Sequence, residues 1–97
     1  MNVDVLCLRP EADFTRVGVE PPRKLVIAYR APGDADVVGL LGQARALVIP
    51  AVGPKLDPAL FAQTRLRLIQ ITGAGVDRVD RESLVDRDIP VCNVPGG

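Results

Sequence analysis

Short apolar runs separated by polar segments rich in glycine and proline dominate the hydrophobic pattern of this chain. The runs are rich in Val, Ile and Leu and lack the regular apolar–polar alternation of strands that expose one face. Continuous runs of this kind are typical of parallel strands covered on both faces. The predicted strands are 2–8, 24–30, Ala46–Ile49, 66–71 and 91–94.

Helix-start signals lie in the segments between these runs. Asp34 is predicted to be the N-cap of a helix that is weakened by Gly39 and Gly42. Asp57 followed by Pro58 has the order of cap and first helical residue that helix starts prefer. The predicted helices are 34–43, 57–64 and 80–87, with one or two further helical turns within 11–18.

This alternation of strands and helices predicts an α/β fold. Helical crossovers between parallel strands are right-handed and place helices on both faces of the sheet. The simplest result is a flavodoxin-like, doubly wound sheet of five parallel strands in the order 2-1-3-4-5. The Rossmann order is the alternative, and the pattern does not separate the two.

Composition narrows the set of partners. The 97 residues make one small domain with 12 acidic and 12 basic side chains and three aromatic ones. This balance gives no basic patch or stacking surface, so neither a nucleic acid nor a membrane partner is expected. No apolar run approaches the roughly 20 residues of a membrane span, and a cytoplasmic location is expected. Cys7 and Cys92 lie in apolar runs and are predicted to be buried free thiols.

Histidine is absent from the chain. A histidine general base, a histidine-activated nucleophile and histidine metal ligands are therefore excluded within these 97 residues. We predict no catalytic residue and no metal ligand in the chain, which alone is expected to be inactive.

A glycine turn follows the fourth run, at Gly73, Ala74 and Gly75. The dinucleotide fingerprint needs a third glycine three residues later, where this chain has Arg78, and an acid near the end of the next strand, where it has Asn93. No cofactor-binding residue is therefore predicted. Two interpretations remain: the turn amides bind a small anion, or the glycines only supply a positive φ for a tight turn.

Two segments carry a family resemblance. Residues 71–80 (Ile-Thr-Gly-Ala-Gly-Val-Asp-Arg-Val-Asp) and 89–97 (Ile-Pro-Val-Cys-Asn-Val-Pro-Gly-Gly) resemble the N-terminal substrate domain of the D-isomer-specific 2-hydroxyacid dehydrogenases. Phosphoglycerate, glyoxylate and hydroxypyruvate dehydrogenases belong to that family. The resemblance implies that 1–97 is part of a flavodoxin-like substrate-binding domain. It also implies that the closing C-terminal helix, the NAD-binding domain and the catalytic Arg, Glu and His lie beyond it.

The resemblance also implies a site. The backbone at Ala74 and Gly75 is expected to hold the carboxylate of a small 2-hydroxy or 2-oxo acid, and Val52 and Gly53 are expected to line the same cleft. NAD is the family's cofactor, and none is predicted to bind to this chain alone. Many members have Asn where this chain has Arg78, so the particular substrate is not carried over.

Two functions are therefore considered. In the first, the chain is the substrate-domain segment of an NAD-dependent oxidoreductase that acts on the CH–OH group of a D-2-hydroxy acid. In the second, it is a free-standing flavodoxin-like module that binds a small anion, or regulates a partner, without catalysis. In either case an uncovered sheet face or edge is expected to favour self-association.

Overall fold

The computed structural model describes residues 3–18, 24–51, 56, 61, 64–73 and 88–94. Within them lie five strands and two short helices: β1 Val5–Cys7, α1 Ala12–Thr15, β2 Ile27–Tyr29, α2 Val37–Leu41, β3 Ala46–Ile49, β4 Leu68–Ile71 and β5 Val91–Cys92. The predicted helix 80–87, and all of the predicted helix 57–64 except Phe61 and Thr64, fall outside the described residues.

All five strands are parallel and form one sheet in the order β2-β1-β3-β4-β5. Across its centre, Leu6 of β1 pairs with Ala28 of β2 and Leu47 of β3, and Leu47 pairs with Ile69 of β4. This order confirms the flavodoxin-like prediction and excludes the Rossmann order. The direction of winding reverses between β1 and β3, which places the topological switch point there.

The core is built on the three central strands. Their largest fully buried side chains are Leu6, Leu47, Ile49, Ile69 and Ile71. Burial alternates along β3 and β4, so that each buried residue follows a half-buried one. The continuous apolar runs had predicted strands covered on both faces, and no residue of β3 or β4 is fully exposed. One row of side chains is buried more deeply than the other.

The start of α2 differs from the prediction. The N-cap position is Asp36, which makes no side-chain capping bond, and the helix begins at Val37. The predicted cap, Asp34, closes a turn with Ala31: its carboxylate accepts a hydrogen bond from the Ala31 amide at 3.0 Å, and its own amide donates to the Ala31 carbonyl at 3.0 Å. The Asp34 side chain is therefore engaged in this turn, two residues before the N-cap position of the helix.

Two further predictions are corrected at the sheet edges. The strand predicted to begin at residue 24 begins at Ile27, because Leu25 and Val26 are 45% and 49% exposed and the Val26 amide donates to the Asp4 carboxylate at 2.8 Å. Cys7 is a buried free thiol, as predicted, but Cys92 is exposed. Cys92 lies on the outermost strand, which pairs only with β4 among the described strands.

Candidate functional site at the carboxyl edge of the sheet

Parallel pairing brings the carboxyl ends of all five strands to one edge of the sheet, which is where open α/β sheets bind ligands. The loops that leave this edge begin at Leu8 after β1, Pro50 after β3 and Thr72 after β4. The ladder continues past the strand ends, since the Leu8 amide donates to the Val48 carbonyl at 2.8 Å and the Thr72 amide to the Ile49 carbonyl at 2.9 Å. The first residues of these loops are therefore held by the sheet.

The loops after β3 and β4 are in direct contact. A Cβ atom added at Gly73 would lie 2.7 Å from the Cβ atom of Ala51, closer than two non-bonded carbon atoms approach. Gly73 does not have a positive φ, so the conformational explanation of the glycine turn is wrong at this position. Glycine is required there because the neighbouring loop occupies the space of a side chain.

Gly73 is also held from the opposite side. Its carbonyl accepts a hydrogen bond from the Val94 amide, beyond the end of β5, at 2.9 Å. The beginning of the glycine turn thus lies between the loop after β3 and the segment after β5. Both Ala51 and Gly73 are half-buried.

An arginine spans the switch point between β1 and the glycine turn. The Arg9 Nη1 group donates to Thr72 Oγ1 at 2.7 Å, and its Nε group donates to Asp13 Oδ2 at 3.2 Å. The Thr72 hydroxyl in turn donates to the Ile49 carbonyl at 3.4 Å. The Arg9 and Asp13 side chains are 32% and 24% exposed, so this ion pair is shielded from water more than a surface pair is.

Sequence reasoning had not selected Arg9, Asp13 or Thr72. The available signal was a cation placed directly after the first strand, at the same sheet edge as the glycine turn. The hydrogen bond that gives Arg9 its place joins residues 63 positions apart, which no local pattern reveals.

A second cleft lies on the other side of β1. This cavity of about 340 Å³ is lined by Leu8, Pro10, Tyr29, Arg30, Ala31, Pro32 and Asp34. Arg30 forms two hydrogen bonds there: its Nε group donates to Asp36 Oδ2 at 2.9 Å, and its Nη1 group donates to the Tyr29 carbonyl at 2.8 Å. Burial raises the pKa of the Tyr29 phenol, and the negative charge of Glu11 adds to the effect. The Tyr29 phenol is therefore protonated at neutral pH.

One thiol lies beneath the switch point. Burial raises the pKa of the Cys7 thiol, and this outweighs the opposing effects of the Arg9 backbone and charge. Cys7 is therefore a protonated core residue and not a nucleophile.

The four predicted site residues, Ala74, Gly75, Val52 and Gly53, lie outside the described residues. The described neighbours of each pair, Gly73 and Ala51, are the residues in contact.

The described ranges contain no group of three acidic, cysteine or histidine side chains that could hold a metal ion. Neither helix of the described part has the length and apolarity needed to cross a membrane.

Comparison with known structures shows the same fold. The D-lactate dehydrogenase from Aquifex aeolicus, solved with NAD and lactic acid, superposes with a TM-score of 0.75 at 19% identity over 95% of this chain and 28% of that one. The PH0520 protein from Pyrococcus horikoshii OT3 gives a TM-score of 0.73 at 19% identity over 99% of this chain and 28% of that one. The NAD+-bound 3-phosphoglycerate dehydrogenase from Entamoeba histolytica gives a TM-score of 0.68 at 19% identity over 99% of this chain and 34% of that one.

This chain therefore spans about a third of the length of these structural neighbours, or less. No curated protein sequence matches it significantly. The family model described as the catalytic domain of the D-isomer specific 2-hydroxyacid dehydrogenases matches residues 20–97, which is most of the chain. The chain belongs to the D-isomer specific 2-hydroxyacid dehydrogenase family.

Proposed function

We propose that this chain supplies the substrate-carboxylate half of the cleft of an NAD-dependent dehydrogenase that oxidises the CH–OH group of a small D-2-hydroxy acid. The observation that carries the proposal is the contact between Gly73 and Ala51, at the carboxyl edge of a flavodoxin-like sheet. Family membership supports the reaction class. The neighbours solved with NAD and lactic acid, or with NAD+, support the cofactor and the kind of substrate for the whole protein.

The proposed chemistry of this half is binding and orientation. Backbone N–H groups at Ala74 and Gly75 donate to the two oxygens of the substrate carboxylate, while Val52 and Gly53 close the other side of the cleft. Backbone donors at a turn without bulky side chains allow a carboxylate to approach closely. A carboxylate fixed in this way presents the adjacent C2 carbon in one orientation, which is the requirement for a positioned reaction.

The chain's own glycine turn does not fit the dinucleotide. The space beside Gly73, which a pyrophosphate cradle would keep open, is filled by the Ala51 side chain, and the third glycine position is Arg78. We therefore assign no nucleotide contact to these residues, and the NAD of the whole enzyme is proposed to bind elsewhere in the protein.

Titration of the ¹⁵N-labelled chain with D-lactate and with glyoxylate tests the carboxylate site. We expect saturable amide shifts at millimolar concentration, centred on Ala74 and Gly75 and extending to Gly53. Acetate, which has the carboxylate without the neighbouring oxygen, and inorganic phosphate serve as matched probes.

Each result has a distinct meaning. Weaker binding of acetate and phosphate than of D-lactate supports a hydroxyacid site. Equal binding of all these anions would favour the free-standing anion-binding module. Shifts that fall elsewhere, or no shifts, would overturn the proposal.

A further inference from the structure

We propose that Arg9 is a positioning residue of the carboxylate site, which holds Thr72 in place and thereby fixes the first residues of the glycine turn. This proposal rests on the proposed function, since the turn that Arg9 holds is the one assigned to the substrate carboxylate. Its basis is the 2.7 Å hydrogen bond from Arg9 Nη1 to Thr72 Oγ1, which crosses the topological switch point.

The bond acts on a residue whose backbone is part of the turn. The Thr72 amide donates to the Ile49 carbonyl at 2.9 Å, and its hydroxyl donates to the same carbonyl at 3.4 Å. With the hydroxyl proton directed at Ile49, an oxygen lone pair remains for Arg9. Thr72 is therefore fixed in both its backbone and its side chain, immediately before Gly73.

Arg9 is itself held by a second contact. Its Nε group donates to Asp13 Oδ2 at 3.2 Å, and Asp13 also lies 3.5 Å from Arg16 Nη2. A planar guanidinium that bonds two acceptors through different nitrogen atoms has little rotational freedom left. The bridge therefore connects α1 to the loop after β4 across the end of β3, and its half-buried position strengthens it relative to a surface pair.

The charge balance favours positioning over direct anion attraction. Asp13 contacts both Arg9 and Arg16, and the excess positive charge of this group of three is screened by water because the Arg16 side chain is 74% exposed. Arg9 therefore contributes a weak net field at the cleft. The role of Arg9 is to orient the Thr72 hydroxyl group. The chain offers a matched control in Arg30, which follows β2 and forms the same kind of ion pair with Asp36 at 2.9 Å.

The first arm of the test needs no ligand. Hydrogen exchange is measured at the amides of Thr72 and Val94, which bond to the Ile49 and Gly73 carbonyls. Thr72→Val removes the hydroxyl at nearly constant volume, and Thr72→Ser retains it. We expect faster exchange at both amides in Arg9→Ala and Thr72→Val. The rates in Thr72→Ser and Arg30→Ala are expected to stay at those of the wild type.

The second arm measures D-lactate affinity by amide shifts. Loss of a charge-assisted bond that orients the turn is expected to weaken binding about five- to tenfold. Arg9→Ala, Thr72→Val and the double variant should show the same loss, because all three remove one interaction. The D-lactate affinity of Arg9→Lys should lie between those of the wild type and Arg9→Ala, since an ammonium group cannot reproduce the two fixed donors of a guanidinium. Thr72→Ser should restore affinity to within about twofold of wild type.

The outcomes separate the two proposals. If the wild type binds D-lactate and Arg9→Ala binds it with the same affinity, the role of Arg9 is overturned and the carboxylate site stands. The same conclusion follows if Arg30→Ala loses as much affinity as Arg9→Ala. Unchanged exchange rates in Arg9→Ala and Thr72→Val overturn the role of Arg9 as well. No D-lactate binding to the wild type overturns the proposed function, and the role of Arg9 with it, even where the exchange rates change.

Discussion

Gly73 and Ala51 approach so closely that a Cβ atom on the glycine would lie 2.7 Å from the Cβ atom of the alanine. One hydrogen atom at Gly73 therefore determines how near the loops after β3 and β4 can come. At the present backbone spacing there is room for one methyl group at this contact, so either residue 51 or residue 73 can be alanine, but not both.

Gly73→Ala is predicted to destabilise the chain by about 1–3 kcal/mol, the usual range for forcing an extra carbon into a packed contact. The same change should weaken carboxylate binding, because the two loops must separate. The double variant Gly73→Ala with Ala51→Gly moves the methyl group across the contact and should recover most of the loss. Urea unfolding of the single and double variants measures the change in stability, and D-lactate titration followed by amide shifts measures the change in affinity.

Gly39 provides the control for that experiment. It is an exposed glycine within α2, and an added Cβ would meet nothing within 4 Å. Gly39→Ala should therefore stabilise the chain by about 0.5–1 kcal/mol, the helix preference of alanine over glycine. A similar gain in Gly73→Ala would show that its contact with Ala51 imposes no constraint.

The two thiols should differ in reactivity. Cys92 is exposed and Cys7 is buried with a raised pKa, so a thiol reagent at neutral pH should label Cys92 rapidly and Cys7 only as the chain unfolds. Cys92→Ser should remove the fast phase and leave the slow one. Rapid labelling of both thiols in the native chain would contradict the burial of Cys7.

Alkaline pH should destabilise the fold. The folded chain raises the pKa of the Cys7 thiol above its ordinary value of 9.0, and that of the Tyr29 phenol above 10.0. The folded state therefore binds these protons more tightly than the unfolded state does. Their contribution to stability is complete below pH 9 and is lost as the pH rises beyond it.

Urea unfolding between pH 7.5 and pH 10.5 measures this loss. Cys7→Ala should lower stability at neutral pH and flatten the first part of the alkaline decline. Cys92→Ala leaves the buried thiol in place and should preserve the wild-type slope. The same slope in Cys7→Ala and wild type would assign the decline to other groups.

Asp88 has a φ of 56°, in the left-handed region that favours glycine. Asp88→Gly should raise stability by about 0.5–1 kcal/mol, since relief of this conformation exceeds the entropy that glycine adds to the unfolded chain. Asp88→Ala should lower it, because alanine tolerates the region less well than aspartate. Thermal melts of the three proteins give the order, and a gain in Asp88→Ala would contradict it.

The chain alone is predicted to have no dehydrogenase activity and to bind no NADH. It has no histidine to transfer a proton, and its glycine turn does not fit the dinucleotide. NADH oxidation with glyoxylate, hydroxypyruvate and phosphohydroxypyruvate, and NADH fluorescence titration, measure the two properties. Turnover above the blank, or saturable micromolar binding, would contradict the prediction.

The strand prediction was accurate where polarity and burial change together. Ala46–Ile49 has the predicted bounds because exposed Arg45 precedes it and Pro50 ends it. The second strand was predicted too long because Leu25 and Val26 are apolar yet exposed, a property that depends on what packs against them.

The site was predicted only in its local part. A glycine turn at the end of a parallel strand points to a ligand-binding edge because strand direction alone determines that edge. The need for glycine at Gly73 arises from Ala51, and the position of Arg9 from Thr72. Both are contacts across the sheet, so they depend on strand order and register, which the apolar runs left open.

The sheet order also has a consequence for how the chain folds. Every strand pairing joins distant segments: Val5 pairs with Ile27 and with Ala46, Ala46 with Leu68, and Ile69 with Val91. No pair of described neighbouring strands is a hairpin that could form early and template the rest. Long stretches of chain must close before any backbone ladder forms, and such topologies fold slowly for their size. On a ribosome, β1 must wait for residues 46–49 before its second neighbour exists.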